Sequence, residues 1–179
     1  MTFLDRASHW LAAPVFCILL SAAPGAAGVR IDPDPGWRQA GDMSALVAVL
    51  EDWLDRKAPW GRRATLPRIR VVQPEAAAAK AGLAGRGHGR MRGLYDPASG
   101  TVYLVAPWSA SDADDVSVLL HELVHHRQAV HHWYCPGAQE EAAYRLQDQW
   151  LRERGLDANV NWIAVVLEAG CTPKDIHPD

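Results

Sequence analysis

Ser111 to Val130 reads SDADDVSVLLHELVHHRQAV. Ser111 or Asp112 can accept from the free amides that begin a helix, and Asp114 and Asp115 put negative charge in its first turn, where the backbone dipole favours it. Val116, Leu119, Leu120, Leu123 and Val124 then recur at three-and-four spacing, which predicts an amphipathic helix with one broad apolar face. Within it lies H-E-x-x-H. His121 and His125 stand one turn apart on one face, so both imidazoles can reach a single ion. Glu122 is one residue round from His121, where its carboxylate can act on water without taking a ligand position. A surface helix with merely solvated histidines is the plain alternative. The following HHWYCPGAQ breaks the helix at Pro136 and Gly137, and a further helix is expected from Ala138 to Arg154.

Outward from this pair the pattern is mixed. Met91 to Tyr95 and Thr101 to Val105 alternate around the turn sequence DPASG and predict a hairpin; Leu66 to Val72 predicts a short strand. PEAAAAKAGLAG, with proline first and glycine last, predicts a short helix. DMSALVAVLEDWLDRKAPW spaces Leu46, Val49, Leu50, Trp53 and Leu54 behind an Asp42 cap as a longer helix ending near Pro59. Val29 to Asp42 reads as an extended lead-in, and NVNWIAVVLEAGC as a last helix. The fold class expected is α+β: one domain, residues 29–179, with a short sheet or hairpin beside an active-site helix and a second helix that bears glutamates.

Residues 1–28 differ in kind. An early arginine, an apolar run from Leu11 to Leu20 and small residues from Ala23 to Gly28 have the layout of an export signal peptide, too short for a comfortable membrane span. Its removal would place the chain in the periplasm or outside the cell with no stable membrane span; left uncleaved, it would act as an anchor. Cys17 would be discarded with it. Cys135 and Cys171 remain, an even number in an oxidising compartment, and a bridge between them is expected. The formal net charge of -3 gives no footprint for nucleic acid. WGRR (Trp60 to Arg63) and GRGHGRMRG (Gly85 to Gly93) are expected to be loops with solvated arginines.

Two histidines make an incomplete site, since a catalytic zinc normally takes three protein ligands. His131, six residues after His125, has the spacing of the metzincin pattern, but Gln128 stands where that pattern has its turning glycine, and no methionine follows Met91. The other source is the helix beyond the break, through Glu140 or Glu141. EEAAY, Glu140 to Tyr144, resembles the glutamate helix of the gluzincin-type zincin metallopeptidases, in which the ligand opens E-x-x-A-D or E-x-x-A-N; the residue here in the place of Asp or Asn is Tyr144.

The resemblance covers about 40 residues, Asp112 to Leu151. It implies a zinc peptidase acting on peptide or protein substrates, with His121, His125 and Glu140 as ligands, Glu122 as the base, Ala143 small for close helix packing and Tyr144 as an outer hydrogen-bond partner. Glu141 is the register alternative. It also implies that Thr101 to Trp108 is the edge strand lining the cleft, open to pairing with an extended peptide. The competing expectation is a zincin-like metal- or protein-binding module without turnover. His126 is expected to point away from the metal. His131, His132 and Tyr134 lie in the connecting loop, where one could stabilise an oxyanion, and Trp108, Trp133, Trp150 and Trp162 are expected in the core.

Overall fold

The computed structural model describes residues 35–82 and 91–171. The signal peptide, with Cys17, lies outside them, as does much of the glycine- and arginine-rich stretch before Met91. Among the described residues no helix is long and apolar enough to cross a membrane.

Helix α1 spans Met43–Lys57, and the Asp42 carboxylate accepts from Ala45 N at 2.8 Å as its cap. Strand β1 (Arg68–Val72) leads into the short helix α2 (Pro74–Lys80), then β2 (Gly93–Asp96) and β3 (Thr101–Val105). The DPASG turn joins the last two: Asp96 Oδ1 accepts from Ala98 N, and Gly100 supplies the positive φ of 61° that a side chain would resist. The motif helix α3 is Ala113–Gln128, capped by Asp112, which accepts from Asp114 N and Asp115 N. A 3-10 turn, Pro136–Gln139, opens α4 (Glu140–Glu153), and α5 (Trp162–Ala169) follows. The α+β class therefore holds.

The sheet corrects the expected strand roles. Its order is β1-β3-β2, with β3 parallel to β1 (Arg68↔Thr101 to Val72↔Val105) and antiparallel to β2 (Gly93↔Leu104 to Asp96↔Thr101). Thr101 to Val105 is thus the central strand, hydrogen-bonded on both sides, and has no edge to offer a peptide. The edge beside α3 is β2. The lead-in is also more structured than expected, because Pro35–Gln39 forms a 3-10 turn that drives Trp37 (1% exposed) edge-on against Trp150.

Helix α3 packs against the sheet on one side and α4 on the other, with α1 also in contact. One core joins Leu46, Leu50, Trp53 and Leu54 of α1 to Leu119, Leu120, Leu123 and Val124 of α3 and Ala143, Leu146 and Trp150 of α4. Its burial runs round nearly the whole helix, because Ser117, His121, Glu122, His126, Arg127 and Gln128 are buried too. Each of these polar side chains must therefore find a partner. Of the arginines in WGRR, Arg62 is solvent-exposed as expected, and Arg63 is partly buried against α3. Arg62 bridges Asp52 and Asp55, while Arg63 reaches His126 Nδ1 at 3.2 Å and the Tyr95 hydroxyl at 3.1 Å.

Cys135 and Cys171 are bridged, 36 residues apart, with Cα atoms 5.9 Å apart. The bridge joins the connector ahead of Glu140 to the end of α5. Replacing both cysteines by serine is expected to lower unfolding stability by about 3 to 4 kcal/mol, the chain-entropy value for such a loop. Urea unfolding of parent and variant measures it; a loss below about 1 kcal/mol would show that the bridge does not constrain the unfolded chain.

Candidate metal centre

His121 and His125 project from α3, and Glu140 opens α4 opposite them. The two Nε2 atoms are 3.0 Å apart, and the Glu140 oxygens lie 3.4 Å from each. Together the three residues form a group that could hold a metal ion. Glu141 faces elsewhere and pairs with Arg145 at 2.7 Å. His131 lies outside the group: α3 runs through Gln128 without reversing, and the His131 amide then closes the helix end on the Gln128 carbonyl at 2.9 Å. His131 does line the adjoining cleft, but His132 and Tyr134 do not, and Tyr134 is almost fully exposed.

The chemistry of the donor set fits a cation. The Gln147 Oε1 faces His121 Nδ1 at 3.1 Å, and the Gln128 Oε1 faces His125 Nδ1 at 2.8 Å. An amide oxygen can only accept, so each ring carries its proton on Nδ1 and turns the Nε2 lone pair inward. Two lone pairs and a carboxylate then converge. Ligand atoms at zinc–nitrogen and zinc–oxygen distances in a tetrahedral arrangement would stand about 3.3 Å apart, close to the separations found. Burial would raise the Glu140 pKa, but when the two rings are also protonated on Nε2, their hydrogen bonds and charge hold the carboxyl far below its ordinary range. His125 shifts upward, since Glu140 and Glu122 outweigh the burial that would lower it.

Glu122, 5% exposed, is raised in pKa by burial against the opposing pull of His121 and His125, which suits a group that must pick up a proton. The Tyr95 backbone N–H on the edge strand donates to it. Its seat depends on Gly93. A β carbon there would come 2.6 Å from Glu122 Oε1 and 2.8 Å from Val118 Cγ1. Gly93→Ala is therefore expected to displace the Glu122 carboxylate while leaving His121, His125 and Glu140 able to bind metal. Equal metal uptake with an altered titration of the Glu122 carboxyl would support this, and an unchanged titration would count against it.

The centre opens into a cleft of about 790 Å³ walled by β2, α3, α4 and the segment carrying Asn159, Ala164 and Val165. Trp133, expected in the core, lines this cleft, with its Nε1 donating to the Gln128 carbonyl at 3.1 Å. Trp162 is only partly buried, over Arg145. Trp150 is buried and Trp108 packs against the core. His126 does point away: its Nε2 donates to the Thr65 carbonyl at 2.8 Å, and its Nδ1 faces Tyr95 and Arg63. Burial lowers its pKa and keeps it neutral.

A model of a domain of unknown function, DUF6647, matches residues 39–179. The chain belongs to the DUF6647 family. No curated protein and no solved structure matches it. The match takes in every element of this DUF6647 domain from α1 onward, the His121, His125 and Glu140 group included.

The residues missed by sequence reasoning are the outer ones. Tyr144 packs its ring edge-on against His121, with centroids 4.5 Å apart. The outer partner of that histidine is Gln147, seven residues after Glu140. Two helical turns place Gln147 on the ligand's own face, a spacing that could have found it.

Proposed function

We propose that this DUF6647 domain is a zinc-dependent metallopeptidase of the gluzincin type, working outside the cytoplasm. One observation carries the reading. Three convergent electron-pair donors stand at zinc-like spacing, and the next residue on the helix is a buried carboxylate of raised pKa facing the same cleft. His121, His125 and Glu140 would hold the ion. When bound, zinc would supply Lewis acidity that polarises a carbonyl and makes water a nucleophile near neutral pH. Glu122 takes the proton from the attacking water and returns it to the amine that leaves. Gly93 and the Tyr95 N–H fix the carboxylate for that transfer. Peptide is the favoured substrate because β2 lines the cleft as an edge strand, and an extended chain can add to such an edge through backbone hydrogen bonds. The Cys135–Cys171 bridge is compatible with export.

The test uses the full chain, zinc-loaded and chelator-stripped, against a mixed peptide library. New amino termini are expected only with metal. A zinc-loaded protein that generates none leaves the metal-binding module in place of the enzyme; a protein without stoichiometric metal overturns the centre itself.

A further inference from the structure

We infer that Gln128 and Gln147 are positioning residues that clasp the two halves of the metal centre from opposite sides, each spending both ends of its carboxamide. This rests on the metal-binding part of the reading above and not on hydrolysis. Gln128 is fully buried at the end of α3. Its Oε1 accepts from His125 Nδ1 at 2.8 Å, and its Nε2 donates to the Gln139 carbonyl at 3.1 Å. Gln139 immediately precedes Glu140, so one side chain orients the second ligand and holds the start of the helix that bears the third. Gln147 returns the clasp from α4. Its Oε1 accepts from His121 Nδ1 at 3.1 Å, and its Nε2 donates to Ser117 Oγ at 2.9 Å, whose own proton goes to the Asp114 carbonyl at 2.7 Å.

Between Gln128 and Gln139 the chain passes through a connector on which His131, His132 and Tyr134 are exposed. Trp133 and the Cys135–Cys171 bridge tie that connector to its surroundings, and the Gln128 side chain adds a direct link from His125 to the residue that precedes Glu140. The amide is the only side-chain chemistry that serves both ends at this length: it accepts from an imidazole N–H and donates to a carbonyl at once. Glutamate has the same shape and accepts from His125 more strongly, but it has nothing to donate to the Gln139 carbonyl, and the two oxygens repel.

That asymmetry makes the test. If Gln128 served only His125, Gln128→Glu would bind metal as well as the parent or better. As a clasp, Gln128→Glu and Gln128→Met are both expected to weaken Co²⁺ binding about 10- to 100-fold, the range for loss of an outer partner, measured by competition with a chelating dye. The visible spectrum of bound Co²⁺ in Gln128→Glu should shift toward that of Glu140→Ala. In the Glu140→Ala background, Gln128→Glu should cost little further affinity, because both changes act on the same ligand. Affinity of Gln128→Glu within about threefold of the parent, or losses that simply add, would overturn the clasp while leaving the metal centre standing. A parent that takes up no Co²⁺ would overturn both.

Discussion

Glu122→Gln is expected to take up metal as the parent does and to hydrolyse peptide about 10²- to 10⁴-fold more slowly, the usual contribution of a positioned proton-transfer group. Metal uptake survives because Glu122 is not among the three convergent ligands; it stands about 100° round the helix from His121. The seat survives because glutamine has the same outline. Its Oε1 can still accept from the Tyr95 N–H, and Gly93 still leaves the space. Only proton acceptance is lost. Elemental analysis and the peptide library, run on parent and variant together, separate these two properties. A variant that cleaves as fast as the parent would remove Glu122 from the chemistry. Where the parent itself releases no amino termini, an equal metal content in both proteins would describe the binding module.

Local spacing carried much of this centre before any fold was known. His121, Glu122 and His125 lie within one turn of helix, and Asp42 and Asp112 are caps that act on amides two or three residues away. Such relations depend on helix geometry alone. Glu140 is singled out only by the resemblance of EEAAY, since the spacing by itself leaves Glu141 equally open. The strand neighbours were not legible: alternation marks Thr101 to Val105 as a strand but does not say that β1 pairs on its far side, leaving β2 at the edge. That order follows from long-range packing. Arg63 misled for the same reason, since a charge run looks solvated until His126 of α3 and Tyr95 of β2 are folded against it, whereas Arg62 does stay exposed. In the sequence Gln128 stands out only as the wrong residue for a metzincin turn. Its partner, the Gln139 carbonyl, comes within reach only when α4 is docked.

The largest stability effect is expected at Arg127, two residues beyond the second histidine and fully buried. Its Nε donates to Glu51 Oε2 at 2.9 Å, and Nη2 reaches Glu51 Oε2, the Glu51 carbonyl at 2.9 Å and Asp55 Oδ1 at 2.6 Å. Nη1 donates to the Trp60 carbonyl at 2.9 Å. One guanidinium thus fastens α3 to α1 and to the loop after it. Removing it strands the Glu51 carboxylate, 1% exposed, with Arg62 Nε at 3.7 Å as the remaining cation near it. Arg127→Met is therefore expected to cost about 3 to 5 kcal/mol in urea unfolding, the range for an uncompensated buried charge. The reverse change is milder. In Glu51→Gln the guanidinium keeps Asp55 and two backbone carbonyls, so the loss should be smaller by at least about 1 kcal/mol. Adding Glu51→Leu to Arg127→Met removes the stranded charge and should recover much of the stability, because replacing both members of a buried pair by apolar groups is often close to neutral. Equal losses in the two single variants, or a double variant no more stable than Arg127→Met, would mean that shape and packing, not the buried charge, hold α1 against α3.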